Sequence, residues 1–261
     1  MPDPFLEEAS ATATAADAPG LYLGSSALLN LQDGRLRLRA GALTQLCKTD
    51  RERAMALHGY VKKLPFERPL KFRLRTAREV LDAGRGDAID KSTLLVALLR
   101  RCQIPARICY VELSGEILRG LTSRMRTVPR PVVEIWLRSR WVRTDTYIFD
   151  TGYMAAARQR LKDRDWEWGY GIHRNGQSIW NGTDDAFLGG YRTEEDPLVV
   201  STLGVFHDPL QFIRSDIYRR KFRPVAGLHW NMLSLLMRKA VRQLRAEGSH
   251  EGTAGRSRPP F

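Results

Sequence analysis

Nothing in this sequence suits a membrane span, a disulfide framework or a structural metal site. No apolar run approaches the roughly 18 residues that crossing a bilayer takes. The three cysteines, Cys47, Cys102 and Cys109, follow no CxxC-type spacing, and an odd count does not build a disulfide scaffold. Thiols of this kind fit a reducing cytoplasm. The first 20 residues carry acids but neither Lys nor Arg, so they lack the basic start of a secretion signal. No internal repeat occurs, and no Pro/Gly/Ser linker is long enough to split the centre of the chain. No cofactor and no metal are expected.

What is present is a core and an excess of positive charge. Of 261 residues, 43% are hydrophobic and 27% charged, enough for one full-size domain with appendages. Lys and Arg number 42 against 29 Asp and Glu, leaving +13. That balance excludes an acidic disordered chain and favours contact with anions, although the charge is spread over the whole sequence. Residues 1–20 read as a disordered arm, 21–215 as the domain, 216–247 as a basic helical extension and 248–261 as a disordered tail.

Helix signals dominate the first half. Thr49 with Glu52 has the capping-box form, and Pro65 ends the apolar periodicity that follows. A second helix is expected from Thr76 to about Gly84. A third opens at Asp87, carries Asp90 in its first turn and the stripe Leu94, Leu95, Leu98 and Leu99, and closes at Arg100 and Arg101 before Pro105. Strand-like runs come next: Arg107–Leu113, Val132–Leu137 and Trp141–Asp145, the last two joined by the turn Arg138-Ser139-Arg140. Helices first and an antiparallel sheet after them make an α+β fold. Beyond lies a Trp- and Gly-rich stretch, in which Asn181-Gly182-Thr183 reads as a turn. An amphipathic basic helix is expected over 229–247, with its Leu/Met face docked and its Arg/Lys face in solvent, open to weak binding of anionic lipid or nucleic acid.

Two blocks carry chemistry. The first runs Gly86-Asp-Ala-Ile-Asp-Lys-Ser-Thr-Leu-Leu-Val-Ala-Leu-Leu-Arg-Arg-Cys-Gln-Ile-Pro-Ala-Arg107. The second is Arg130-Pro-Val-Val-Glu134, a short turn, then Trp141-Val-Arg-Thr-Asp145. In order and separation they resemble the core of bacterial transglutaminase-like proteins, which share a papain-like fold, and the resemblance spans most of residues 21–215. It implies helices packed on an antiparallel sheet, and a Cys–His–Asp triad for acyl transfer or amide hydrolysis. In such a triad a helix N-terminus favours the thiolate, a histidine moves the proton, and an aspartate orients the histidine. Carried over by position, the cysteine falls on Ala88, the histidine on Arg130 and the aspartate on Asp145. A methyl group cannot attack a carbonyl, and a guanidinium does not release its proton near neutral pH.

No other residue replaces the nucleophile. Cys102 lies about 21 Å farther along the same helix, Cys109 reads as core, and Cys47 has nothing in its favour. His58 reads as structural, His207 as a turn or surface residue, and His173 is left open. Around the old cleft, Asp145, Arg130, Lys91, Asp90 and Asp87 are the candidate site residues. Lys91 is expected to meet a carboxylate, Glu134 to hold such a cation, and Arg130 to pair with Asp145. Two readings follow. One is a protein without thiol chemistry that binds a peptide, an acyl–amine metabolite or a protein partner in the cleft. The other is a repurposed cyclase, isomerase or lyase that uses Asp145 with Arg130, Lys91 and Asp87 or Asp90. An engineered Ala88 would leave Arg130 unexplained.

Overall fold

Four successive helix caps place the centre of this molecule. A computed structural model describes residues 18–70, 73–189, 196–222 and 234–246. A 3-10 turn at Pro19–Leu23 is followed by α1 (Gly34–Thr44), whose Asp33 cap receives the amides of Arg35 and Leu36. α2 (Asp50–Lys63) is capped by Thr49, and Glu52 reaches back to the Lys48 amide. α3 (Ala77–Ala83) has the full Thr76/Glu79 capping box and ends at Gly84 in the left-handed region. α4 (Ala88–Arg101) has a capping box from Asp87 and Asp90.

α4 is the axis of the fold. From Asp90 to Arg100 every residue is buried, because α1, α2 and α3 pack on one side of it and the sheet on the other. The leucine stripe is thus only part of its buried surface. Arg100 is enclosed as well, and its guanidinium donates to the carbonyls of Gly24, Ala106 and His207, tying three segments together.

The main sheet is antiparallel and has four strands. Its strands are β1 (Ala106–Ser114), β2 (Thr127–Leu137), β3 (Arg140–Thr144) and, after β4 (Trp168–Gly169) and β5 (Ile172–His173), β6 (Val199–Phe206), in the order β3-β2-β1-β6. β2 begins five residues earlier than its apolar run suggests and passes through Pro129 and Pro131. β3 pairs with Val133–Leu137, so both prolines lie beyond the part of β2 that has a paired strand on that side among the described residues. The β2–β3 turn is tighter than expected: Arg138 and Ser139 alone make it, both with positive φ. α5 (Thr151–Asp163), the β4–β5 pair, α6 (Pro209–Arg214) and α7 (Asp216–Lys221) complete the body.

Residues 234–246 form α8. Met237, Val241 and Leu244 are buried, as a docked face requires, but the basic face is not left to solvent. Arg238 pairs with Glu67, and Arg245 reaches Asp150 at 2.5 Å, because the helix lies across the segment Phe66–Arg68. Lys239 and Arg242 do face outward. The expected tail 248–261 lies outside the described residues. So does the expected arm, except for 18–20, where Pro19 and Gly20 already belong to the 3-10 turn. Among the described residues no helix is long and apolar enough to cross a membrane.

Candidate functional site

The start of α4 is built from close approaches. A Cβ on Gly86 would lie 2.6 Å from that of Asp90, so only glycine lets the chain fold back there. Asp87 Oδ1 accepts from the amides of Ile89 and Asp90, and Asp90 Oδ2 accepts from the Asp87 amide. Asp90 also takes a two-pronged contact from Arg75, at 3.0 and 2.6 Å. Ala88 follows the cap directly and presents only a half-buried methyl against the core. Lys91 does not meet a carboxylate, contrary to the expectation from sequence. Its ammonium donates to the carbonyls of Lys62, Leu64 and Ile148, closing the open end of α2. Burial holds its pKa far below the usual lysine range.

Arg130 and Asp145 do meet. Arg130 Nη1 lies 3.2 Å from Asp145 Oδ2, and its Nη2 donates to the Gly171 carbonyl at 2.5 Å. Asp145 Oδ1 accepts from the Leu188 amide at 2.8 Å. The two side chains are 11% and 3% exposed, so the pair is held inside the protein. Burial raises the Asp145 pKa above the usual carboxylate value, and the Arg130 charge opposes that rise. Gly171 has a positive φ, and a Cβ there would strike the Phe149 ring at 2.5 Å; a glycine is what brings this carbonyl to Arg130.

Tyr147 links the pair to α4. Its hydroxyl donates to the Pro131 carbonyl at 2.8 Å and also contacts Ser92, one turn beyond Ala88. The phenol is fully buried, so it fills the space between helix and sheet. A second pair stands nearby: His173 Nε2 lies 3.3 Å from Asp196 Oδ1, both on the stretch that also supplies Gly171 and Leu188. The charges of Asp196 and Arg130 act on one another, and that of Asp196 acts on Asp145. His173 and Asp196 were not identified as a pair from sequence. They sit 23 positions apart, and no periodicity marks their meeting.

The remaining candidates are placed as follows. Glu134 pairs with Arg107 at 2.5 Å, not with Lys91, because β1–β2 register sets Arg107 opposite it. His58 bonds Thr146 and is lowered to about 3 by burial and by the nearby Lys62 and Lys91 charges. His207 stacks on Tyr22. Asp87, at the helix cap, is pushed up to about 7 by burial and by the neighbouring Asp90. Among the described residues no group of three or more His, Cys, Asp or Glu could hold a metal ion.

Residues 38–146 match the profile of the transglutaminase-like superfamily. No curated protein matches the sequence. A solved structure of a candidate cysteine protease from Cytophaga hutchinsonii aligns at 15% identity with a TM-score of 0.39, over 47% of this chain. The match spans 39% of that protein's length. Both motif blocks, from Gly86 to Arg107 and from Arg130 to Asp145, lie inside the profile match, so it is this part of the chain that is similar to the transglutaminase-like superfamily.

Proposed function

We propose that this transglutaminase-like protein performs no thiol acyl transfer and acts by binding a peptide, an acyl–amine metabolite or a protein partner at the old cleft. One observation carries the reading. The guanidinium of Arg130, which the sequence resemblance sets at the position of the family's proton carrier, is clamped between Asp145 and the Gly171 carbonyl, while Ala88 offers only a methyl. A permanently charged group pinned by two acceptors cannot pass a proton at neutral pH. Tyr147, filling the space between α4 and the sheet, supports the same reading. A cytoplasmic location, expected from the cysteine count, belongs to this proposal.

The repurposed-enzyme reading loses two of its residues to structural contacts. Lys91 serves three carbonyls and Asp90 serves Arg75. It keeps Asp87, the acidic group whose protonation straddles neutrality.

The test uses a trap. In the double variant Ala88→Cys with Arg130→His, the introduced thiol stands next to whatever acyl group the cleft holds. Incubation with N-acyl amines and short peptides is expected to leave a thioester adduct, the amide C–N bond breaking and the amine leaving with the thiol's proton, read by intact mass. No adduct, in a folded variant whose introduced thiol iodoacetamide still labels, would overturn the binding proposal.

A further inference from the structure

α8 carries two stripes, and the docked one accounts for only part of the helix. Met237, Val241 and Leu244 are buried against the domain. Leu236, Lys239, Ala240 and Gln243 follow the spacing i, i+3, i+4 and i+7, which lays them along a neighbouring face. That face forms one wall of a cavity of about 340 Å³, and the chain from Leu121 to Arg124 forms the other. Ordinary ligand pockets begin at about 300 Å³, so the space suits a small molecule.

The second wall is fixed by the turn behind it. The amides of Leu121 and Thr122 both donate to the Leu118 carbonyl, at 2.8 and 3.0 Å. Gly120 has a positive φ, and a Cβ on it would strike the Tyr170 ring at 2.5 Å, so a glycine is what lets this chain lie on Tyr170. Thr122 Oγ1 accepts from the Arg124 amide at 3.2 Å, which leaves its O–H as a donor.

The chemistry of the cavity is one-sided. Arg124 comes from one wall and Lys239 from the other, and among the described residues neither makes an ion pair and no Asp or Glu lines the space. By contrast, Arg238 and Arg245 of the same helix are taken by Glu67 and Asp150. Two like charges across one cavity repel, and an anion between them relieves that repulsion. A guanidinium offers a carboxylate two parallel donors. Leu121, 7% exposed, and Leu236, 45% exposed, add apolar surface at the same place. A bare ion would leave that surface in water, and a nucleic acid backbone has no apolar group to cover it.

We propose that this cavity binds a small carboxylate with an apolar tail, its head between Arg124 and Lys239 and its tail against Leu121 and Leu236. A fatty acid and an N-acyl amino acid share that chemistry. The site stands apart from the cleft reading. α8 lies beyond the matched residues 38–146, and neither Arg130 nor Asp145 lines the cavity.

Octanoate and N-acetylleucine are the probes, titrated into the whole protein and followed through the methyl signals of Leu121 and Ala240. At least one should shift both signals to saturation, with a Kd on the order of 1 mM. Tighter octanoate names the fatty acid, and tighter N-acetylleucine the acyl amino acid. Arg124→Gln and Lys239→Gln should each weaken binding about tenfold. Both side chains are exposed, so these variants are expected to fold as the wild type does. Arg242→Gln controls for general attraction to a basic surface: Arg242 faces outward without lining the cavity, and its loss should leave the affinity within about twofold. Acetate has the head without the tail and octanol the tail without the head; each should bind at least about tenfold more weakly. The site is overturned by the lack of a saturable shift with either probe, by unchanged affinity in either cation variant, or by an equal loss in Arg242→Gln. Acetate or octanol binding as tightly as the probes would overturn it too.

Discussion

Arg130 and Asp145 are two charges that stabilise the fold only together. Removing one leaves the other buried without its counterion, which costs about 3–5 kcal/mol. Arg130→Ala and Asp145→Ala should each lose that much in urea unfolding, and the double variant should lose less than the sum. The pH dependence has a definite sign. Burial raises the folded pKa of Asp145 above its ordinary 3.8, so the native state holds this proton more tightly than the unfolded chain. Stability therefore falls as pH rises from about 4 through the folded value. Without Arg130, which works against the rise, the window widens and the fall steepens; stability measured between pH 4 and 7 in Arg130→Ala checks this. Lys91 offers a contrasting case. Lys91→Met leaves three carbonyls without their donor and should cost roughly 2–4 kcal/mol. The Arg130–Asp145 contact was legible in the sequence because both positions are fixed by the motif. The partners of Lys91 were not. A buried first-turn lysine announces a need for acceptors, but only the packing of α2 and the Ile148 segment supplies them. Arg107 was likewise hidden from Glu134 until strand register set them opposite.

Elements were readable wherever local chemistry spoke for them. Thr49, Thr76 and Asp87 each cap a helix through side-chain oxygens, and Gly84 ends α3 in a conformation glycine favours. α1 was missed because Leu36 and Leu38 alternate with arginines as a strand would. β6 was missed for a different reason. Gly204, at positive φ, and register shifts along β1 break its alternation, so no period of two survives. The α4 cap yields a prediction at this scale. Asp87→Ala should cost about 1 kcal/mol through the lost cap, measured by thermal or urea unfolding. Asp87→Asn keeps the cap and removes only the titration. The folded pKa near 7 exceeds the ordinary 3.8, so the wild type should lose stability as pH rises between them, and Asp87→Asn should lose that part of the slope.

At the scale of the whole molecule, α8 clasps the domain by an apolar face and two ion pairs. Its amphipathic period was plain in sequence. The use of Arg238 and Arg245 was not, since their partners Glu67 and Asp150 belong to distant segments. Of the outward-facing cations on α8, Lys239 and Arg242 remain for anions. Any polyanion affinity of α8 should disappear in the Lys239→Ala/Arg242→Ala variant, with a salt slope of about −2, measured by titration at several ionic strengths. The central proposal concerns the site itself: that in this transglutaminase-like frame Arg130 and Asp145 do not perform thiol chemistry. An acyl-transfer and amide-hydrolysis assay of the wild-type protein, before and after alkylation of its three cysteines, tests that claim most directly. The account predicts no turnover in either sample. Turnover that alkylation abolishes while the fold stays intact would contradict it.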